Sequence, residues 1–190
     1  MKTNNEKQAF GTKEWAKSTI NYINGCSNNC KYCYANEMAV RFKRKTTDKW
    51  VNEEVKFEKL NKKFNKRNGT IMFPSTHDIT PDNLKYSIQF LENLLEKDNN
   101  VFIVIKPHLE VVKAICEKFN GKKDNILFRF TIGSADNDTL KFWEINAPSY
   151  EERMAALKHA YSMGFQTSVS AEPILDIEID KLISSLLPYV

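Results

Sequence analysis

Five consecutive residues, Val101-Phe102-Ile103-Val104-Ile105, carry no polar side chain. The run is bounded by Asp98-Asn99-Asn100 before it and by Lys106-Pro107-His108 after it. A short apolar run between breakers of this kind reads as a strand covered on both faces, as strands of parallel sheets are. The rest of the chain repeats the theme. Strands are expected over 19–24, 69–74, 101–105, 125–132 and 166–171, each followed by a helical pattern. The helices are expected over 34–45, from Thr80 to about 97, to Phe119, from Ser149 to about Met163, and over 177–187. Thr80-Pro81 and Ser149-Tyr150-Glu151-Glu152 are helix-opening signals. Alternation of strand and helix argues for parallel strands joined by crossovers, and a barrel or part-barrel is the natural closure. The expected fold class is therefore α/β, a partial parallel (β/α) barrel of five units. Residues 1–17 are read as a polar segment pinned by Phe10 and Trp15, and 18–190 as the core domain. Residues 48–68 are charged, helical in their later part, and 137–148 are read as a loop.

Three thiols stand where the first strand ends. Cys26, Cys30 and Cys33 follow a C-x3-C-x2-C spacing on a tight loop between strand and helix. Thiolates bind soft ions and iron–sulfur clusters. Most cubane clusters take four cysteines, so three ligands leave one iron open for a substrate or cofactor. The fourth cysteine, Cys116, sits in an apolar helical pattern and reads as a small buried hydrophobe. A Cys3His zinc site completed by His77 is the rival from another class, but zinc sites usually pair C-x2-C knuckles. Four cysteines in 190 residues do not make a disulfide framework.

The strand ends are polar where the strand bodies are not. Ser75, Thr76, His77 and Asp78 end the second strand, and Lys106 the third. Arg129 and Thr131 share one face of the fourth, which ends at Ser134. Ser168, Ser170 and Glu172 share one face of the fifth. Active-site groups of parallel barrels gather at such carboxyl ends. A lysine ending a buried strand must find water or a counter-charge. His77 reads either as a proton donor to a substrate or as a structural hydrogen-bonder. Arg153 reads either as a surface residue beside Glu151 and Glu152 or as a carboxylate partner. His108 and His159 are assigned no chemistry.

The chain has a net charge of +4, which permits an anionic partner without requiring one. Arg41, Lys43, Arg44 and Lys45 suit the last turn of a helix as well as they suit a phosphate. Lys62, Lys63, Lys66 and Arg67 suit a solvated face as well as a nucleic-acid patch. No apolar run approaches the length that spans a bilayer, and residues 1–12 lack the apolar core of a secretory signal. With thiols kept available for a metal, a cytoplasmic protein is expected.

The spacing resembles that of the radical S-adenosylmethionine enzymes, whose motif is C-x3-C-x-aromatic-C. Cys26, Cys30 and Cys33 match the ligands and Tyr32 the aromatic. The resemblance implies a 4Fe–4S cluster, S-adenosylmethionine chelated to its open iron, reductive cleavage to a 5′-deoxyadenosyl radical, and hydrogen abstraction from a substrate. It implies an external electron donor of flavodoxin or ferredoxin type, and no membrane. It gives Ser75, Thr76 and Asp78 the cofactor's ammonium, although the family's glycines are missing there. Thr131 and Ser134 then meet its ribose or carboxylate, and Ser170 and Glu172 lie near its adenine or ribose. The family's barrel has six units, so the sixth is expected to be missing or truncated here. A degenerate fold without turnover and a non-catalytic zinc-binding nucleic-acid module remain the alternatives. Trp143-Glu144-Ile145-Asn146-Ala147-Pro148-Ser149, with Glu151-Glu152-Arg153 and Ser170-Ala171-Glu172-Pro173, resembles uncharacterised bacterial and phage-borne members related to spore photoproduct lyase. That implies a nucleic-acid substrate. No catalytic residue is assigned.

Overall fold

The computed structural model describes residues 11–190, so Phe10 lies outside the described residues. Five parallel strands form one sheet in chain order: β1 (Ser18–Thr19), then β4 (Thr70–Met72), β5 (Asn100–Ile105), β6 (Ile126–Thr131) and β7 (Gln166–Ser170). A second, antiparallel pair joins β2 (Ile23–Asn24) to β3 (Glu54–Val55). The helices are α1 (Thr12–Trp15), α2 (Tyr34–Arg41), α3 (Phe57–Leu60), α4 (Leu84–Leu95), α5 (Leu109–Lys118), α6 (Asn137–Trp143), α7 (Tyr150–Ser162) and α8 (Ile179–Leu186). This is an α/β fold with a wholly parallel main sheet, consistent with a partial β/α barrel. No helix among the described residues is long and apolar enough to cross a membrane.

Strand parity divides the sheet into two unlike faces. Ile71, Phe73, Val101, Ile103, Ile105, Phe128 and Phe130 point to one side and join the main core. There they meet Phe90, Leu91 and Leu94 of α4, Val111, Val112 and Ile115 of α5, and Ala156 and Leu157 of α7. Cys116 belongs to this core and is fully buried, as a small hydrophobe would be. The alternate residues Met72, Phe102, Val104 and Leu127 form a separate, smaller cluster closed by Ala16. The register continues this second face through Arg129 beside Ser168 and Thr131 beside Ser170.

Several elements differ from expectation for visible reasons. The stretch 19–24 does not stay in one sheet. After the Ile20 N–H donates to the Met72 carbonyl, Asn21 turns its side chain onto the end of β4, and Ile23–Asn24 pairs with β3 instead. Helix α2 stops at Arg41 because Lys43 takes a left-handed φ of 53°. Lys45 is therefore not part of a cationic last turn. It is buried, donates to the Asn24 and Asn52 carbonyls, and pairs with Glu54 at 3.1 Å. Residues 48–68 hold one helical turn, α3, rather than a longer helix. The expected loop 137–148 contains α6, opened by Asp136, whose carboxylate accepts from the N–H groups of Asp138 and Thr139. Ser149 caps α7 as expected, but Glu152 reaches away to accept from the Leu109 N–H at the start of α5.

Candidate active site

The cysteine loop owes its shape to contacts on both flanks. Gly25 precedes it at φ +112°, with the carbonyl oxygens of Trp50 and Asn52 so close that a Cβ would lie 2.7 Å from each. Only glycine accepts both conditions. The Cys26 N–H donates to the Trp50 carbonyl at 3.0 Å, and the Ser27 N–H and hydroxyl both donate to Glu53. Asn28 donates to Asp78 Oδ2 at 2.9 Å. On the other flank, the segment after α6 clasps the loop. Lys31 N–H donates to the Trp143 carbonyl, Asn146 N–H to the Asn28 carbonyl, and Asn146 Nδ2 to the Ser27 carbonyl. Cys30 and Glu144 form a backbone bridge. Cys33 precedes α2 as its capping residue.

The three thiols are free and share the wall of one cavity of about 680 Å³. Tyr32, Ser75, Thr76, Asp78, Thr131, Ser170 and Glu172 share that wall too. Ser134 does not: it is fully buried, donates to Asp176, and accepts from the Asp136 N–H. Its hydroxyl is committed to folding the loop after β6. Asp78 is also committed. Its carboxylate accepts from Asn28 and from the N–H groups of Ile79 and Lys106, so three protein donors hold it while it lines the cavity. Burial nevertheless raises its pKa to about 6. Ser75 N–H and Thr76 N–H both donate to Asn21, and the Tyr34 hydroxyl donates to the Ser75 carbonyl.

Burial dominates the electrostatics of the thiols. It pushes Cys26 up and lifts Cys30 to about 11, although Lys106 pulls the latter down. His77 is buried, and neither ring nitrogen has a partner among the described residues. Its ring meets Tyr22 and Phe73 edge-on, and burial lowers its pKa to about 3. It is a neutral imidazole on the cavity wall.

Two residues that the sequence left ambiguous or passed over tie the site together. Arg153 is no surface arginine. It has no exposure, and donates to Glu144 Oε2 at 2.5 Å, the Pro148 carbonyl at 2.9 Å and the Thr131 carbonyl at 3.2 Å. Glu144 also accepts from the Tyr32 hydroxyl and lies 3.8 Å from Lys106 Nζ. Lys106 thus finds its counter-charge. Burial works against its ammonium, yet Cys30, Glu144 and Asp78 together raise its pKa. The signal for Glu144 was present in principle: a helical pattern over 137–143 opened by Asp136 would have carried it back to the strand ends.

Among the described residues, no three His, Cys, Asp or Glu side chains gather closely enough to hold one metal ion. His77 in particular is held among aromatic rings rather than beside the thiols. A four-iron cluster asks for something else, one thiolate per iron around a cube, so its ligands stand apart. Three cysteines of one loop facing one roomy cavity, with Cys116 far off in the core, fit that donor set.

A family model described as the radical SAM superfamily matches residues 20–181. An uncharacterised protein of Methanocaldococcus jannaschii, MJ0683, is 28% identical over 178 residues, which cover 92% of this chain and 67% of that protein. No solved structure matches the chain. Both findings stop at the level of the superfamily, and neither carries a relation to spore photoproduct lyase.

Proposed function

Because the chain belongs to the radical SAM superfamily, we propose that it binds a 4Fe–4S cluster through Cys26, Cys30 and Cys33 and cleaves S-adenosylmethionine in the cavity they face. When bound, the cluster supplies the electron that splits the cofactor into methionine and a 5′-deoxyadenosyl radical, which removes a hydrogen atom from a substrate. The observation that supports this reading best is the placement of all three thiols on one cavity wall with polar groups from the ends of β4, β5, β6 and β7.

The chain's own residues then have distinct tasks. Ser75 and Thr76 offer hydroxyls to the cofactor's ammonium end, and Ser75 is positioned by Asn21. Asp78 offers its carboxylate and charge to the same end while anchoring the cysteine loop through Asn28. Thr131, Ser170 and Glu172 face the ribose and base. Ser134, assigned to the same task from sequence, is withdrawn to the loop it folds. Tyr32 holds the cysteine loop against Glu144. Lys106 sets a fixed positive charge beside Cys30, which favours the thiolate that a cluster requires. Electrons come from an external donor of flavodoxin or ferredoxin type, and no substrate class follows from the superfamily alone.

The test is anaerobic. The protein is reconstituted with iron and sulfide, reduced with dithionite, and given S-adenosylmethionine. Formation of 5′-deoxyadenosine in the parent protein and its loss in Cys30→Ala is the expected result. Iron bound without product supports a fold that has lost turnover, and zinc bound in place of iron ends the reading.

A further inference from the structure

The cavity wall also carries Trp15, Phe102, Arg129 and Glu172. Arg129 sits on β6, two residues before Thr131, and so one step deeper along the strand. Its guanidinium carbon lies over the Trp15 ring, 3.7 Å from the centroid, and 4.8 Å from that of Phe102. Trp15 itself stacks on Phe102 at 28°. Nε donates to the Ser168 hydroxyl at 3.2 Å. The two terminal nitrogens have no acceptor, and no carboxylate lies within 4 Å, among the described residues.

A guanidinium carries five N–H donors in a rigid fork. Here one donor is used, two aromatic rings pack against the group, and the residue lines a cavity. Met72, Phe102, Val104 and Leu127 pack with Ala16 beside it on the same face. A leucine at 129 would extend that cluster without desolvating a charge. An orientated, partly desolvated cation with an unused fork is the arrangement that recognises a carboxylate or a phosphate. Glu172, on the same wall, competes with such an anion and acts on Arg129 through its charge.

We propose that Arg129 is the substrate's anchor: it receives an oxyanion, phosphate or carboxylate, on the edge of the guanidinium that Trp15 and Ser168 leave open. The inference rests on the reading of the cavity as the reaction site and names what the substrate must carry.

The test uses the whole chain without its cluster, so that it is independent of cofactor cleavage. Inorganic phosphate and glutarate are titrated separately at constant chloride, read by calorimetry and by tryptophan emission, since Trp15 lies against the site. At least one probe is expected to bind saturably. Arg129→Gln is expected to weaken that binding about tenfold or more, with part of the loss restored by Arg129→Lys. Glu172→Gln removes a repelling charge and is expected to tighten it about two- to threefold. Saturation by phosphate alone identifies a phosphate-bearing substrate; saturation by glutarate alone identifies a carboxylate-bearing one when saturating S-adenosylmethionine leaves it intact, and its displacement by S-adenosylmethionine overturns the proposal. No saturation by either probe up to the order of tens of millimolar overturns the proposal. So does binding that Arg129→Gln leaves intact, or that Glu172→Gln weakens. If 5′-deoxyadenosine fails to form while the probe binds, the function falls and the anion site stands.

Discussion

Arg129 and Arg153 both attach to β6, one from within the strand and the other through its last carbonyl, yet they live in opposite circumstances. Arg153 is sealed off, its guanidinium divided among Glu144, Pro148 and Thr131. Arg129 lies half-covered on an indole face with most of its fork unused. The first joins three segments of chain and has nothing left to offer a ligand. The second is held in place while keeping its bonding capacity open. Reading an arginine near a strand end as functional is therefore insufficient. What decides is how many of its donors the protein has already consumed.

The largest effect should come from breaking the closed arginine. Arg153→Met leaves the Glu144 carboxylate buried without its strongest partner, and a loss of about 3–5 kcal/mol in urea denaturation is expected. Replacing Glu144 by leucine in the same chain should return much of that loss, because a buried pair exchanged for apolar groups is often nearly neutral. A cost below about 1 kcal/mol for Arg153→Met would erase the contrast between the two arginines.

His77 extends the comparison to a buried group with no partner at all. Its folded pKa lies near 3, below the ordinary value of 6.5. The unfolded chain therefore takes up a proton that the folded chain refuses. The stability conferred by the neutral ring is present above about pH 6.5 and is lost as pH falls toward 3. The loss at the acid end should be on the order of a few kcal/mol, and His77→Leu should flatten that part of the stability–pH curve. An unchanged curve would mean that the ring finds a partner in solution.

Smaller effects separate the clasp from the cap. Tyr32→Phe removes one donor to Glu144 and should cost about 1–2 kcal/mol by the same denaturation measurement. Ser149→Ala removes the hydroxyl that opens α7 and should cost about 1 kcal/mol. Arg129→Gln should change stability least, by about 1 kcal/mol at most, since it forfeits only a stacked contact and relieves a partly buried charge. A large stability loss there would assign Arg129 to the architecture after all.

What could be read from the sequence was local or periodic. The order and direction of the main strands follow from runs such as Val101–Ile105 and their breakers, and the facing of Arg129 with Thr131 follows from a period of two. The cysteine spacing is equally local. Glu144 was hidden because its partners, Tyr32 and Arg153, reach it from opposite sides in sequence, across distances no periodicity spans. Lys45 was misread because a lysine among lysines looks solvated, and only the approach of the Asn24 and Asn52 carbonyls draws it inside. Ser134 looked like a ligand group because strand ends usually offer them, whereas Asp176, forty residues on, claims its hydroxyl. The split of the first strand turned on one side chain, Asn21, finding the end of β4.

The clasp on the cysteine loop has a consequence for how the molecule is born. Cys26 to Cys33 emerge from the ribosome more than a hundred residues ahead of Trp143, Glu144 and Asn146, which give the loop one of its two flanks. Contacts so distant in sequence are made late, after the intervening strands have found one another. Until then the three thiols hang on an unshaped segment, exposed to oxidants and to stray metal ions. The loop is thus given its final shape late in the life of the nascent chain, only once the segment that clasps it has been made.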